Sequence, residues 1–565
     1  MSHSATKTTI DARVAGPSTN GDGRMAGPPP LVPRVADQPG GVLVTVEDLT
    51  IRAGERVLLD GAKARFEPGQ VTLIVGPSGA GKSTLLRLLS GLMGDGDEGL
   101  EVTGRVRMDG GVASSATRRR RVGVVFQSHA LFDELSPRGN VRLAGSHRRR
   151  RNRATSRVDS ATDLLRELHV PHDVRTSALS GGQRQRLAIA RTMAYDPDVV
   201  LYDEPTTGLD AATATEVAGL IRATHANHPK TSIVVTHDYQ ALAPIADRIY
   251  LLDPEARSLR EIDHSQWSHL RERLRPLPSR ESVATQRGAF EVAAAFTRGW
   301  GGHFAEFLSS TTRAVEAVLM SVASLLPIWR SPLWGVRFLA HYLRLVAGPS
   351  AWAYLGIAGV IAGFVTTYFT FRFLPYARYA EPLLIEDLLS SMGFALYRIL
   401  VPVLATILIA ARCGAAVASD VGGKSYGHQL DAMRTMGIQP RFYLLTPILY
   451  SFLIGVPLLT LLGYWTASLT SLAVFTATHA ERGPDFWQLH YHWRLLSPER
   501  MFFEGSGWLL GKLLLCAMGI GLIAYHRGTR PKHSNRDISD SITSTILWST
   551  LFVLAVHFVF AFLEF

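Results

Sequence analysis

Hydrophobic and polar positions change rhythm twice along the 565 residues. Between about 42 and 258, short β-branched runs alternate with helical stretches. The runs are Val42–Val46, Val71–Val75, Val122–Phe126, Val199–Tyr202 and Ser232–Thr236. Such alternation predicts an α/β domain over 42–258, with a parallel sheet and crossover helices. From about 345 the polar positions thin out. Leu345–Phe371 holds no Asp, Glu, Lys or Arg, and about 20 apolar residues cross a bilayer. Spans are expected near 349–371, 396–418, 443–475, 507–525 and 542–563, giving an all-α transmembrane domain over 301–565. The third is long enough for a tilted helix with an extension, or for a re-entrant pair.

The intervening segments read differently. Residues 259–300 form a charged, proline-containing linker. Over 305–345, apolar Phe307, Val315, Leu319, Trp329, Trp334 and Phe338 are interleaved with Arg330, Arg337 and Arg344. That pattern predicts an interfacial helix at a membrane surface, with a packing helix as the plainer alternative. Residues 1–41 are rich in Pro, Gly, Ser and Thr and read as a disordered leader. The leader lacks the apolar stretch of a signal peptide, so the chain is expected to start on the cytoplasmic side.

Composition narrows the class. Lys and Arg number 59 against 48 Asp and Glu, a formal charge of +11. Charged residues make up 19% and hydrophobic ones 47%, and mean hydropathy is +0.11. These values exclude a disordered or fibrous chain and disfavour a wholly soluble one. The two cysteines, Cys413 and Cys516, sit in apolar runs, so there is no disulfide framework and no cysteine zinc module. The runs Arg118–Arg121 and Arg148–Arg151 read as solvated surface, and no nucleic-acid partner is expected. The loop 526–540 carries Arg527, Arg530, Lys532 and Arg536, which places it on the cytoplasmic side. Residues 419–441 then also face inward. The loops 372–395 and 476–506, and the C-terminus, face outward, although Arg372 and Arg378 in the first loop oppose that assignment.

The strongest chemical signal follows the run Val71–Val75. Gly76, Pro77, Ser78, Gly79, Ala80, Gly81, Lys82, Ser83 and Thr84 form a phosphate-binding loop in a strand-to-helix setting. Its glycines let backbone N–H groups wrap phosphates, and the following helix start favours negative charge. Lys82 can reach the β/γ-phosphates of a nucleotide, and Ser83 can ligate Mg²⁺. A second apolar run ends in Asp203 and Glu204. Asp203 is placed to hold Mg²⁺, and Glu204 to polarise the attacking water. Gln127 follows the Val122–Phe126 run, and His237 follows Ser232–Thr236. Leu179, Ser180, Gly181, Gly182 and Gln183 offer a hydroxyl and glycine N–H groups ahead of a helix, and Gly208-Leu-Asp210 follows Glu204.

In this order these elements resemble the ATPases of ABC transporters, over about 215 residues and of the MlaF-like type. The resemblance implies that two such domains pair head to tail. Leu179–Gln183 of one would complete the ATP site of the other, with Asp210 in the loop between them. It further implies that Gln127 senses Mg²⁺ and the γ-phosphate and touches the membrane part, while His237 holds the γ-phosphate and the water. Where that family stacks an aromatic on adenine, this chain reads Ile51-Arg-Ala-Gly54. The planar guanidinium of Arg52 is the stacking group available there.

The second half carries its own pattern. Arg398-Ile-Leu-Val-Pro402 opens a stretch that continues through Ala411-Arg412-Cys-Gly-Ala-Ala416 and Asp420-Val-Gly-Gly423. It ends in Gln429-Leu-Asp431-Ala-Met-Arg434-Thr-Met-Gly437-Ile-Gln-Pro440. With Gly359, Gly363 and Lys512, this resembles the MlaE-type permeases of bacterial lipid-transport systems, over roughly 300–565. Ile399, Val401, Ala411 and Asp420 depart from that family's pattern. Asp420–Pro440 is expected to be a coupling helix docking near Gln127, with Leu430, Met433 and Met436 on one apolar face. Arg398, Arg412 and Lys512 are charges within apolar surroundings. Such charges are costly and are lipid-binding or paired by default; a lipid phosphate, an acid such as Asp420, or an interface are the open partners.

The combined resemblance implies a fused ATPase–permease half-transporter of a bacterial inner membrane, working as a homodimer. It would move lipid, with phospholipid the expected cargo, at the expense of ATP and Mg²⁺, beside a separate periplasmic MCE-domain protein. An ABCG-like exporter would need six spans and a large outer loop near the last pair, where five spans and a short loop are read. A non-transporting ABC ATPase that transmits force across the membrane would need no lipid cavity.

Overall fold

The structure is a computed structural model that describes residues 41–54, 56–93, 100–148, 160–269, 325–373, 377–496, 502–532 and 534–564. Residues 1–40 of the leader, most of the 259–300 linker and the 305–324 part of the expected interfacial helix lie outside the described residues.

The first half is built on two sheets. Strands β1 (Val44–Ala53), β2 (Arg56–Phe66), β4 (Leu100–Met108) and β5 (Gly111–Val112) make an antiparallel sheet in the order β2-β1-β4-β5. The Val42–Val46 run therefore belongs to this sheet and not to the parallel one. β1 alternates buried and exposed positions, the pattern of a sheet with one solvated face.

The other four runs do form a parallel core. β3 (Val71–Val75), β6 (Val122–Val125), β7 (Val199–Asp203), β8 (Thr231–Thr236), β9 (Arg248–Asp253) and β10 (Ser258–Ile262) stand in the order β10-β9-β3-β8-β7-β6. Every residue of β3 and β8 is buried, as expected of strands covered on both faces. β10 pairs antiparallel with β9, and a 3₁₀ turn follows over His264–His269, where Trp267 Nε1 donates to Ile262 O at 3.2 Å. The chain expected to be linker from 259 thus begins as part of the sheet. Helices α1 (Lys82–Leu89), α2 (Ser115–Arg121), α3 (Pro137–Ser146), α4 (Ser160–Glu167), α5 (Gly181–Tyr195) and α6 (Ala211–Asn227) complete this half.

The second half is helical. Among the described residues, five helical stretches are long and apolar enough to cross a membrane: Pro332–Arg372, Leu384–Tyr426, Arg441–Thr478, Ser506–Thr529 and Asn535–Glu564. The first comprises α7 (Pro332–Ala347) and α8 (Pro349–Arg372), joined at Gly348. Trp334, Phe338, Tyr342 and Val346, one helical turn apart, form the buried stripe of α7. α9 (Ala377–Ala395), α10 (Val401–Ile409) and α11 (Ala415–Tyr426) are linked by π-helical turns at Leu396–Leu400 and Ala410–Gly414. α12 (Gln429–Thr435) is short. α13 (Thr446–Thr478) is one continuous helix of 33 residues despite Pro457, not a re-entrant pair. α14 (Gly483–Tyr491), α15 (Ser506–Thr529) and α16 (Asn535–Glu564) follow.

Two stretches expected to be outer loops are largely helical. α9 and α14 pack together around Ile385, Leu389, Met392, Trp487 and Tyr491. A Cβ on Gly393 would collide with Tyr491 O, so glycine sets that approach. α8 and α13 meet in the same way, with Gly359 against Gly463 O and Gly363 against Ala467 O.

Candidate functional site

Parallel pairing places the predicted chemistry along one edge. β3 ends in the phosphate loop, β8 in His237, β7 in Asp203 and Glu204, and β6 leads to Gln127. These strands are neighbours in the order β3-β8-β7-β6, so their carboxyl ends converge at the place where open α/β sheets bind ligands. Gly76 is required by space, because a Cβ there would lie 2.9 Å from Leu252 O. Gly81 is required by backbone, at φ +94° ahead of α1. Pro77, Ser78, Gly79 and Ala80 lie between them, and Ser83 and Thr84 open α1.

Glu204 sits between two basic groups. Its Oε1 is 3.8 Å from Lys82 Nζ and its Oε2 is 3.1 Å from His237 Nδ1. Thr207 Oγ1 donates to Oε2 at 2.9 Å, and the Glu204 backbone adopts φ +45°. Lys82 Nζ donates to Gly76 O at 3.0 Å and Pro77 O at 2.9 Å, bracing the loop. Burial pulls the Lys82 ammonium below its usual range, against the pull of Glu204 and Asp203.

Asp203 fits a cation. Burial, then the neighbouring Glu204, pushes its carboxyl up to about 6. Its Oδ1 is buried without a hydrogen-bond partner. An orphaned buried carboxylate oxygen suits the hard, oxygen-seeking Mg²⁺, and Ser83 and Gln127 stand exposed after β3 and β6 of the same sheet.

Leu179–Gln183 lie apart from this row. Ser180 caps α5 in a reciprocal box: Gln183 N donates to Ser180 Oγ, and Ser180 N donates to Gln183 Oε1. Ser180 and Gly181 are exposed and Gly182 is half-buried. Asp210 caps α6 from the surface, taking N–H and hydroxyl bonds from Thr213. Those bonds hold its carboxyl below its usual range.

The basic runs are more than solvated surface. Arg118 is buried and donates to Ala113 O at 2.6 Å. Arg121 lies between Asp109 and Asp198, and Arg148 pairs with Asp196 at 2.8 Å. Arg149–Arg151 lie outside the described residues.

The loop after Gln127 meets the membrane half at several points. Ser128 Oγ donates to Gly427 O at 3.1 Å, and Gln429 Nε2 to Leu131 O at 2.6 Å. His428 stacks on Phe126 with ring centroids 5.6 Å apart. α12 buries Leu430 and Met433, with Met436 just beyond it, as the apolar spacing requires. Asp431 pairs with Arg434 at 3.0 Å. Gly437, at φ +67°, lies beside Tyr195, and Pro440 leads into α13 through a π-helical turn. Asp420 is not on this helix. It lies in α11, where Tyr342 and Lys424 bond it.

Three residues absent from the sequence expectation support this junction. Arg191 is fully buried, and its guanidinium donates to the carbonyls of His129 and Ala130, pinning the Gln127 loop. Burial lowers it to about 10. His147 Nε2 meets Tyr443 OH at 3.0 Å across the two halves. Lys424 pairs with Glu134 of the loop at 3.3 Å.

The membrane charges also find partners. Arg398 pairs with Glu564 at 2.6 Å, and Lys512 Nζ contacts Glu564 at 3.3 Å and Arg398 O at 2.5 Å. Arg412 bonds Ser350 Oγ and Leu345 O at the α7–α8 junction, rather than Asp420.

A nucleotide-type strand-end site in a parallel α/β sheet, joined to five membrane-length helices, defines a membrane-bound nucleotide-binding protein. Comparison with known proteins places it further. Residues 59–207 match the ABC transporter family model, and residues 345–563 match that of Permease MlaE. The chain therefore carries an ABC transporter ATPase domain followed by a MlaE permease domain. Among curated relatives, it is similar to a maltose/maltodextrin import ATP-binding protein of Photorhabdus laumondii, 37% identical over 214 residues, 37% of this chain and 56% of the relative. It is also similar to a sulfate/thiosulfate import ATP-binding protein of Burkholderia mallei, 39% identical over 215 residues, 37% of this chain and 60% of the relative. The chain thus spans only 56% and 60% of the length of these two curated relatives. A solved dimeric bacterial ABC transporter cassette is 28% identical and covers 39% of this chain and 98% of its own, at a TM-score of 0.33.

Proposed function

We propose that this protein is an ATP-driven lipid transporter, with phospholipid as its cargo, in a bacterial inner membrane. The observation that supports it most is the docking of α12 against the loop that begins at Gln127, which joins the candidate ATP site to a MlaE permease domain. Lys82 and the loop N–H groups hold the ATP phosphates. Glu204, fixed by Thr207 and His237, orients the attacking water and accepts its proton. Ser83, Gln127 and Asp203 are the residues that would hold Mg²⁺, which when bound neutralises phosphate charge.

Two chains act together in this reading. Leu179–Gln183 and Asp210 of one copy face the nucleotide held by the other, which gives their exposed capping groups a partner. The homodimer works beside a separate periplasmic MCE-domain protein. The ATPase half lies in the cytoplasm and the C-terminus in the periplasm. Arg398, Arg412 and Lys512 line or brace the lipid path. Gln429, Asp431, Arg434, Gly437 and Pro440 transmit closure of the ATPase pair to the helices.

The test is movement of labelled phospholipid by purified protein in liposomes, with and without an MCE-domain protein, against Glu204→Gln. ATP-dependent movement that Glu204→Gln abolishes is the expected result. Sustained ATP hydrolysis with no lipid movement in any arrangement would refute the lipid assignment.

A further inference from the structure

The junction of the two halves contains a buried cation shared between them. Lys424 of α11 has a side chain only 5% exposed, yet two carboxylates from different halves approach its ammonium. Asp420 Oδ1, one turn earlier on the same helix, accepts a hydrogen bond from it at 2.6 Å. Glu134 Oε1, in the loop between Gln127 and α3, lies at 3.3 Å. The two contacts are not equivalent. Asp420 holds a true hydrogen bond, whereas Glu134 Oε1 is buried and has no hydrogen bond of its own. The remaining oxygen of Asp420 accepts from Tyr342 OH at 2.9 Å, and His341 Nε2 stands 3.6 Å from Oδ1. Both Tyr342 and His341 belong to α7. One line of polar groups thus runs from the nucleotide-site loop, through Lys424 and Asp420, to α7.

A buried ammonium cannot leave both carboxylates without a large desolvation cost, so its freedom is to shift between them. Glu134 is carried by the loop whose first residue is the candidate γ-phosphate sensor. Arg191 pins the middle of that loop at His129 and Ala130. Glu134 lies beyond the pin, at the permease end.

We propose that Lys424 is a positioning residue that ties the Gln127 loop to the membrane half by sharing its ammonium between Asp420 and Glu134. When the loop moves toward nucleotide, Glu134 draws Lys424 from Asp420, and the bond from Tyr342 to Asp420 carries the change to α7. This role deepens the transporter reading and rests on it for its purpose, but not for its detection.

The test is a double-mutant cycle of Lys424→Met and Glu134→Gln in full-length protein carrying Glu204→Gln, read as affinity for a fluorescent ATP analogue. This readout needs no cargo. Each single change should shift affinity at least about fivefold, the lower range of allosteric coupling, and the double change should add nothing further. Lys424→Arg, which keeps the charge, should restore most of the shift; a residue that only fills space would not behave so. Glu134→Gln lies at the edge of the ATPase half, and if Lys424→Met folds poorly its own shift, measured also in the Lys424→Arg background, keeps the proposal falsifiable. Unshifted affinity, or shifts that add, would overturn the proposal. In the hydrolysing protein, both single changes should lower lipid moved per ATP. A non-additive cycle without lipid movement in the unmutated protein would uphold the link and remove the transporter reading. Lipid movement with an additive cycle would do the reverse.

Discussion

Removing the Glu564 carboxylate should be far more damaging than removing the Lys512 ammonium beside it. Glu564 has a side chain 1% exposed and neutralises two cations, Arg398 at 2.6 Å and Lys512 at 3.3 Å, whose own side chains are 12% and 4% exposed. Glu564→Gln keeps the shape but leaves both cations without that carboxylate. Breaking a buried pair from one side costs about 3–5 kcal/mol, because the charge left behind remains desolvated. Lys512→Met leaves the shorter Arg398–Glu564 pair intact and replaces a buried ammonium by an apolar side chain of similar length. Exchanging buried charge for well-packed apolar groups is often neutral, so a change within about 1 kcal/mol is expected. The assay is the unfolding equilibrium of purified protein in mixed micelles, measured for both variants. A loss below about 1 kcal/mol for Glu564→Gln, the range of an exposed pair, would refute the assignment of this cluster as a buried structural charge centre. Equal losses for the two variants would refute the asymmetry.

Other outcomes follow from the same contacts. Glu204→Gln should lower ATP hydrolysis by about 10²–10⁴-fold, the usual contribution of a positioned proton acceptor, while nucleotide binding is retained. His147 is held below its usual pKa by burial. The unfolded chain therefore takes up a proton that the folded chain refuses, so the stability this group supplies is present above about pH 6.5 and falls as the pH drops below it. His147→Gln should flatten the pH dependence of the thermal midpoint between about 7.5 and 5.5 accordingly. Gly363→Ala should cost about 1–3 kcal/mol by forcing α8 away from Ala467 O, seen as a lowered unfolding midpoint with unchanged nucleotide affinity.

The candidate ATP site was legible because its chemistry is local. The phosphate loop, Gln127, Asp203–Glu204 and His237 each stand at the end of an apolar run, and parallel pairing of β3, β8, β7 and β6 then brings the run ends together. The apolar spans were legible from hydropathy alone, since membrane length leaves few alternatives. The Val42–Val46 run was misassigned because β-branched residues do not distinguish parallel from antiparallel pairing; β1 instead pairs with β2 and β4. α9 and α14 were read as loops because Glu386, Asp387 and Asp485 interrupt their apolar positions, yet contact with each other buries Leu389 and Tyr491. The partners of Lys424 and Arg398 were beyond reach for a different reason. Glu134 and Glu564 stand far away in sequence, and no spacing rule joins them. Arg191 resembled any helix arginine until its burial against two loop carbonyls was visible.

The short helix α12 also bears on how the two halves remain matched. Leu430 and Met433 of α12, with Met436 just beyond it, are large buried apolar groups there, each providing roughly 1.5–3 kcal/mol. Separate proteins joining through such a patch would first lose about 4–15 kcal/mol of translational and rotational freedom. That loss is of the same order as the whole gain. Here both surfaces belong to one polypeptide, so that loss is met when the chain is made. The apolar part of the contact can then be small and still recover its own partner. The ratio of ATPase to permease is fixed at one to one, and a foreign ATPase from the same cell would have to displace a tethered one to take its place.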